Sequence, residues 1–178
     1  MQKTLVMTIV GKDRTGLVES LARLIADHGG NWLESRMCRL GGEFAGILRA
    51  SAPEDRIQQL VGALEALQSE GLAVIVRRDE AQAPQEPTKE ATLSLIGHDR
   101  PGIIYQISAA LANQNISFEE LETECSSAPM SGEMFFKAVA RLQIPATCDL
   151  SALRKELEEI GSELMADISF TGLGPVTK

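Results

Sequence analysis

Hydrophobic and polar positions follow two different periods along the first eighty residues. An apolar run at Leu5–Val10 is followed by apolar residues at helical spacing, and further apolar stretches and a second helical pattern come before residue 80. Short apolar stretches predict strands, and spacing of three or four residues predicts amphipathic helices. The expected order is therefore strand, helix, strand, strand, helix, strand.

The second half of the chain repeats this order. Leu5–Gly16 and Ala91–Gly102 align at an offset of 86 residues, and Gly-x-Asp-Arg-x-Gly is identical in both. Further along, Asn31-Trp32 aligns with Asn115-Ile116 if Gly29-Gly30 lengthens the turn of the first copy. Self-similarity of this kind indicates a duplicated structural unit.

A polar segment over residues 81–90 separates the copies. It contains two prolines and no apolar period, which is typical of a linker. We predict a first domain over residues 1–80, a linker over 81–90, a second domain over 91–172 and a tail over 173–178. Each domain is expected to be α+β and ferredoxin-like, a βαββαβ unit whose antiparallel sheet carries its helices on one face.

Charge and cysteine content exclude several classes of protein. The 178 residues carry a formal net charge of −8, and no basic run suits direct nucleic-acid binding. Three scattered cysteines favour a reducing cytoplasm over a disulfide framework, and no Cys/His cluster has metal-ligand spacing. No apolar stretch is long enough for a membrane span. A cytoplasmic protein without metal or cofactor is expected.

A βαββαβ unit whose first turn reads Gly-x-Asp-Arg-Pro-Gly, followed by a helix and Asn-Ile, resembles the ACT domain. Two such units in one chain are most similar to the family of the glycine cleavage system transcriptional repressor. The resemblance implies a non-enzymatic, homo-oligomeric regulator that binds an amino-acid effector, with glycine as one candidate. It also implies a protein partner, for which a DNA-binding transcription activator is one candidate.

The strand-to-helix turn of each copy is the candidate ligand site. The first N–H groups of the following helix lack intrahelical partners and suit a ligand carboxylate. We expect Pro101 in the first helical turn, Gly102 beside the ligand, and Asp99 either capping the helix or facing a ligand ammonium. The candidates are Gly97, His98, Asp99, Arg100, Pro101, Gly102, Asn115 and Ile116 in the second copy, and Asp13, Arg14, Gly16 and Asn31 in the first.

The second copy is the better candidate because Thr15 replaces the proline in the first. The alternative is that both turns are simply capped helix starts and that Asn31 and Asn115 take left-handed conformations. Catalysis is not expected, because the two histidines, His28 and His98, occupy unrelated positions of the repeat and activate no nucleophile.

Two charged strands predict an interface. Glu120, Glu122 and Glu124 alternate along the second strand of the second copy, whereas the aligned strand of the first copy carries Arg36 and Arg39. Because this strand is an edge of a ferredoxin-like sheet, we expect the two edges to pair, within one chain or across a dimer, with both arginines facing the acidic row. The alternative is a solvated strand face.

Three functions are compatible with these patterns. The first is an amino-acid-sensing regulator of transcription, and the second is a regulatory subunit that docks on an amino-acid metabolic enzyme. Capture of a DNA-binding activator or of a metabolic enzyme would separate them. The third is an enzyme similar to formyltetrahydrofolate deformylases that contain ACT domains, but the chain ends soon after Phe170, so no catalytic domain is expected.

Overall fold

The structure is a computed structural model that describes residues 1–79, 88–127 and 132–175. The chain divides into two compact units, Met1–Gln82 and Ala83–Lys178. Each unit has the strand and helix order expected from the sequence, with one antiparallel sheet and two long helices. The predicted α+β, ferredoxin-like fold is therefore confirmed for both.

The N-terminal unit contains a four-stranded antiparallel sheet in the order β2-β3-β1-β4. Strand β1 therefore lies inside the sheet, and β2 and β4 form its edges. Short 3₁₀ turns at Glu54–Arg56 and Leu67–Glu70 flank the second helix. The elements are β1 (Gln2–Lys12), α1 (Leu17–Asp27), β2 (Asn31–Leu40), β3 (Glu43–Pro53), α2 (Ile57–Ala66) and β4 (Leu72–Arg78).

The C-terminal unit repeats this topology with the strand order β6-β7-β5-β8. Strand β5 is the structural counterpart of β1, and β6 and β8 are the edges. The side chain of Asp149 caps α4 by accepting backbone N–H bonds from Ser151 and Ala152. The elements are β5 (Thr88–His98), α3 (Ile103–Asn113), β6 (Ser117–Ser127), β7 (Met134–Pro145), α4 (Leu150–Leu164) and β8 (Ala166–Pro175).

Each unit has its own hydrophobic core between one face of the sheet and the two helices. On β1, Leu5, Met7 and Ile9 are buried in this core, and the residues between them lie on the opposite side of the sheet. On β5, Leu93 and Leu95 have the same role. Each sheet therefore has a helix-covered face and a second face, called here the open face.

Strand boundaries correct the predicted linker and tail. Strand β5 begins at Thr88, so the last three residues of segment 81–90 belong to a strand, and residues 81–87 lie outside the described residues. Strand β8 continues to Pro175, inside the predicted tail, of which 176–178 lie outside the described residues. Backbone pairing of Thr88 with Pro145 and of Lys89 with Pro175 overrides the weak strand preference of these ends.

The turn after the first helix corrects the alignment of the two copies. Gly29 and Asn115 adopt positive φ angles of 68° and 56°, and the residue after each donates its N–H to the carbonyl five positions earlier. This is the usual left-handed end of a helix. Asn115 therefore corresponds to Gly29 and not to Asn31, and the predicted lengthening of the first turn is wrong.

The core predicts a large difference between buried and exposed leucines. Leu142 is fully buried, whereas Leu40 is 81% exposed. We expect Leu142→Ala to lower the free energy of unfolding by roughly 2–5 kcal/mol, because it removes packing and leaves a cavity, and Leu40→Ala to change it by about 0.5 kcal/mol or less. Urea unfolding followed by circular dichroism measures both. Similar losses for the two variants would contradict the described core.

Candidate functional site

The two Gly-x-Asp-Arg-x-Gly turns share one backbone conformation. Gly16 and Gly102 immediately precede α1 and α3, with φ and ψ of 91° and 0° in the first and 93° and −1° in the second. These angles match the third residue of a type II turn, where a positive φ favours glycine. The glycine that closes each motif is therefore required by the turn itself.

Pro101 lies in this turn and not in the helix. Because α3 begins at Ile103, the prediction that Pro101 occupies the first helical turn is wrong. A proline in the second position and a glycine in the third are the preferred residues of a type II turn. The same turn forms in the N-terminal unit with Thr15 in the proline position, so the proline is not required for the conformation.

The aspartates of the motif do not cap the helices. Neither α1 nor α3 has a side-chain hydrogen bond at its N-cap, so the capping alternative is wrong. The backbone N–H of Asp13 donates to the carbonyl of Gly42 in the β2–β3 hairpin turn, and that of Asp99 donates to the carbonyl of Met134 on β7, which fixes the position of each turn. The first N–H groups of each helix therefore keep their capacity to bind an acceptor, at the positive end of the helix dipole.

The two glycines of the second motif differ in their surroundings. A Cβ atom at Gly97 would overlap Ala166 on the adjacent strand β8, whereas a Cβ atom at Gly102 would have no atom within 4 Å. Close packing of β5 and β8 therefore explains Gly97. Gly102 borders open space, where a ligand can approach the backbone.

In the N-terminal unit, both charged residues of the motif already form ion pairs. Nη1 of Arg39 lies 3.2 Å from Oδ2 of Asp13, and Nη2 of Arg14 lies 3.1 Å from Oε2 of Glu70. Exposed pairs of this kind each contribute less than about 1 kcal/mol to stability. They nevertheless compete with any charged ligand for the same groups. Sequence analysis missed Glu70, because no local pattern signals a contact across 56 residues.

In the C-terminal unit, the equivalent charges remain open. The strand register places Cys125 opposite Phe136, as Arg39 lies opposite Phe44, so a cysteine replaces the arginine that neutralises Asp13. Nη2 of Arg100 lies 3.9 Å from Sδ of Met165, and within residues 88–127 and 132–175 neither Asp99 nor Arg100 forms an ion pair. A carboxylate and a guanidinium therefore remain available beside the start of α3.

Cavity shape differs between the units. Residues 13–19 and Phe44 line an open cleft of about 430 Å³ at the start of α1. Among the described residues of the C-terminal unit, a cleft of about 520 Å³ lies between α4 and β8, lined by residues that include Leu157, Gly161 and Ile168. The charged side chains of Asp99 and Arg100 make the C-terminal turn the candidate site, because hydrogen bonds to charged groups are about twice as strong as neutral ones.

Several predicted site residues lie away from the turn. Asn115 follows the C-terminal end of α3, roughly 16 Å along the helix from its start, and Ile116 is buried in the core. Asn31 begins β2 after the far end of α1. Within one unit, the prediction that these three residues share a site with the motif is therefore wrong. His98 lies on the open face of the sheet, where its ring stacks on Phe135 at 4.8 Å between centroids.

The predicted interface arginines lie on opposite faces of β2. Arg36 is opposite Ile47 on the open face, and Arg39 is opposite Phe44 on the helix-covered face, because a spacing of three residues changes face in a strand. The prediction that both face the acidic row is wrong for Arg39. Glu120 and Glu122 lie on the open face of the other sheet, where Glu120 pairs with Arg141 at 3.2 Å. Pairing of the two edges stays a prediction.

Titratable groups with shifted pKa values lie outside the turns. Burial, followed by the nearby charge of Asp149, raises the pKa of the Cys148 thiol. Hydrogen bonds to Asp79 and Glu34 raise the pKa of Arg49. Among the described residues, no group of three His, Cys, Asp or Glu side chains could hold a metal ion, and no helix is long and apolar enough to cross a membrane.

Comparison with known proteins gives one family and three informative relatives. The family model described as the ACT domain matches residues 3–77. The glycine cleavage system transcriptional repressor of Escherichia coli (strain K12) is 24% identical over 166 residues, which cover 93% of this chain and 87% of that protein. UPF0237 protein MK1213 of Methanopyrus kandleri is 32% identical over 78 residues, which cover 44% of this chain and 81% of that protein.

Among solved structures, an unknown protein from Galdieria sulphuraria is similar over almost the entire length. Its crystal structure superposes with a TM-score of 0.87 at 28% sequence identity, covering 98% of this chain and 100% of that one. The two-unit architecture is therefore shared with a solved protein from end to end.

The two glycines of the second motif predict opposite responses to substitution. At Gly102 the constraint is the positive φ, so we expect Gly102→Ala to cost about 1–2 kcal/mol of stability and Gly102→Asn less, since asparagine tolerates left-handed backbone. At Gly97 the constraint is space, so Gly97→Asn should cost more than Gly97→Ala. Urea unfolding of the four variants gives the two orders. The same order at both positions would contradict the described surroundings of one of the two glycines.

Proposed function

The chain belongs to the ACT-domain family, with two ACT domains in tandem, and from this premise we propose that it is a non-enzymatic regulator that senses a free amino acid. The proposed site is the turn before α3 in the C-terminal unit. One observation carries this choice: among the described residues, Asp99 and Arg100 form no ion pair, whereas Asp13 and Arg14 are paired with Arg39 and Glu70.

The groups at this turn match the chemistry of an amino-acid zwitterion. The free N–H groups at the start of α3 and the guanidinium of Arg100 suit an α-carboxylate, and the carboxylate of Asp99 suits an α-ammonium. Gly102 presents no side chain toward the ligand. A small amino acid fits this arrangement best, because recognition rests on backbone and charge and not on a deep side-chain pocket.

Glycine is the first effector to test, and transcription is the first process. Both follow from the repressor of the glycine cleavage system, to which this chain is similar over 93% of its length. With a net charge of −8 and no basic run in its sequence, the chain is poorly suited to bind DNA itself. We therefore propose that it acts in the cytoplasm through a protein partner, such as a DNA-binding activator.

The proposed mechanism is thermodynamic linkage. An amino acid changes partner binding only if its affinity differs between the free and the partner-bound protein. Equal affinity for both states would shift nothing, however tightly the ligand bound. The regulator therefore needs no chemical step, only a binding site that the partner-bound state strengthens or weakens.

The site assignment predicts different effects for two matched aspartates. We expect glycine or serine to bind with a stoichiometry of one per chain, and Asp99→Asn to weaken binding at least about tenfold, because it removes a charge-assisted hydrogen bond. Asp13→Asn, at the same position of the other motif, should leave the affinity unchanged. Isothermal titration calorimetry measures all three proteins. If no amino acid in a panel that includes glycine binds to the folded protein, the sensor proposal fails.

The ion pairs of the N-terminal unit predict a latent second site. If Arg39 and Glu70 exclude the ligand by occupying Asp13 and Arg14, the double variant Arg39→Ala/Glu70→Ala should raise the calorimetric stoichiometry from one toward two. The variant Lys3→Ala/Glu54→Ala, which removes an exposed ion pair at the other end of β1, is the matched control and should stay at one. An unchanged stoichiometry in the first variant would show that pairing does not decide which unit binds.

A further inference from the structure

The open face of the N-terminal sheet carries an exposed apolar stripe. Val10, Ile47 and Ile75 are 45%, 55% and 58% exposed. The register joins them, because Thr8 lies between Ile47 and Ile75, and Val10 lies beside them between two alanines, Ala45 and Ala73. Exposed aliphatic side chains that are contiguous across three strands are a common mark of an interaction surface.

Positive charge flanks this stripe on both sides. Arg36 on β2 is adjacent to Ile47, and Arg77 on β4 is adjacent to Val6. Arg49, on the same face, is neutralised by Glu34 at 3.3 Å and by Asp79 at 2.8 Å. Within residues 1–79, Arg36 and Arg77 form no ion pair, so both remain available to a partner.

The open face of the C-terminal sheet carries negative charge on its edge strands, where the N-terminal sheet carries positive charge. Among the side chains that the structure describes on this face, Ile96 and Val139 are exposed aliphatic residues, at 41% and 47%. Glu122 on β6 is adjacent to Val139, and Asp167 on β8 is adjacent to Ile96. Lys137, also on this face, lies between Ile96 and the carboxylate-bearing Glu124 on β6, and in the described part of this unit neither Glu122 nor Asp167 forms an ion pair. Both edge strands of the N-terminal sheet thus carry an arginine on the open face, and both edge strands of the C-terminal sheet carry a carboxylate there.

We propose that the open face of the N-terminal unit docks on the open face of the C-terminal unit in a second copy of the chain. Two copies then form a closed dimer through two equivalent contacts, as twofold symmetry requires. The aliphatic residues of the two faces pack together as in a β-sandwich, and Arg36 and Arg77 meet the carboxylates of Glu122 and Asp167. Docking of two identical faces would instead bring arginine toward arginine or carboxylate toward carboxylate.

The size of the faces favours two contacts over one. Four strands about 4.8 Å apart and about six residues long give roughly 400 Å² of sheet surface. A stable protein interface buries about 800 Å² on each partner. One face alone is therefore too small, whereas both faces of one chain together reach this size.

A charge swap tests the pairing. In sedimentation velocity at low salt, we expect the wild type to have twice the 19.2 kDa chain mass, and Arg36→Glu/Arg77→Glu to raise the dimer dissociation constant at least about tenfold. Adding Glu122→Arg/Asp167→Arg should restore the dimer, because the charges are then exchanged. Arg39→Glu, on the same strand as Arg36 but on the helix-covered face, should leave the mass unchanged.

Two exposed cysteines give an independent measurement on the same dimer. Cys38 lies on the open face, opposite Ala45, and Cys125 lies on the helix-covered face, opposite Phe136. In the wild type, we expect iodoacetamide to alkylate Cys38 at least about fivefold more slowly than in the Arg36→Glu/Arg77→Glu variant, and Cys125 at the same rate in both. Mass spectrometry of the peptides reads both rates, without any amino-acid ligand.

Three results would overturn the proposal. They are a monomeric wild type at tens of micromolar, a dimer that the double reversal leaves intact, and a reversed variant that the exchanged charges do not restore. Equal alkylation of Cys38 in the wild type and the reversed variant would overturn it as well. None of these results depends on amino-acid binding, so failure here is distinct from failure of the sensor function.

Discussion

The burial of one face of the inner strands β1 and β5 is the constraint on which the remaining structure depends. Their core-facing residues, such as Met7 and Leu93, are almost completely removed from water, and burial of each such side chain stabilises the fold by about 2 kcal/mol. Since strand side chains alternate, the helices on one side define an open face on the other. The turn that begins where each inner strand ends is fixed by the same packing, so the candidate site and the open face share one strand.

Sequence alone predicted the features that repeat and missed those that depend on distant contacts. The motif around Asp13 and Asp99 revealed the duplication, the fold and the position of the turns. The equivalence of Gly29 and Asn115 was not recognisable, because two different residues satisfy the same left-handed backbone. Glu70 was missed for another reason: it reaches Arg14 only after the second helix brings the end of the unit back to the turn.

Comparison of the two copies shows that the turn conformation is common to both, whereas the charged side chains around the turn differ. The turn conformation is the same with Thr15 or Pro101, and Gly16 and Gly102 differ by only a few degrees. The partners of the charged motif residues come from outside the motif, from β2 and from the 3₁₀ turn after α2, and there the copies differ. Arg39 is matched by Cys125, so two turns with identical backbones offer different chemistry to a ligand.

The proposed ligand site and the proposed contact surface meet on β5. Asp99 follows directly after this strand, while Ser94, Ile96 and His98 lie on its open face. His98, the last residue of this strand, stacks on Phe135 of the adjacent strand β7, so the proposed ligand site directly adjoins the open face. Linkage is reciprocal: the factor by which a ligand at this site changes the dimer affinity equals the factor by which dimer formation changes the ligand affinity.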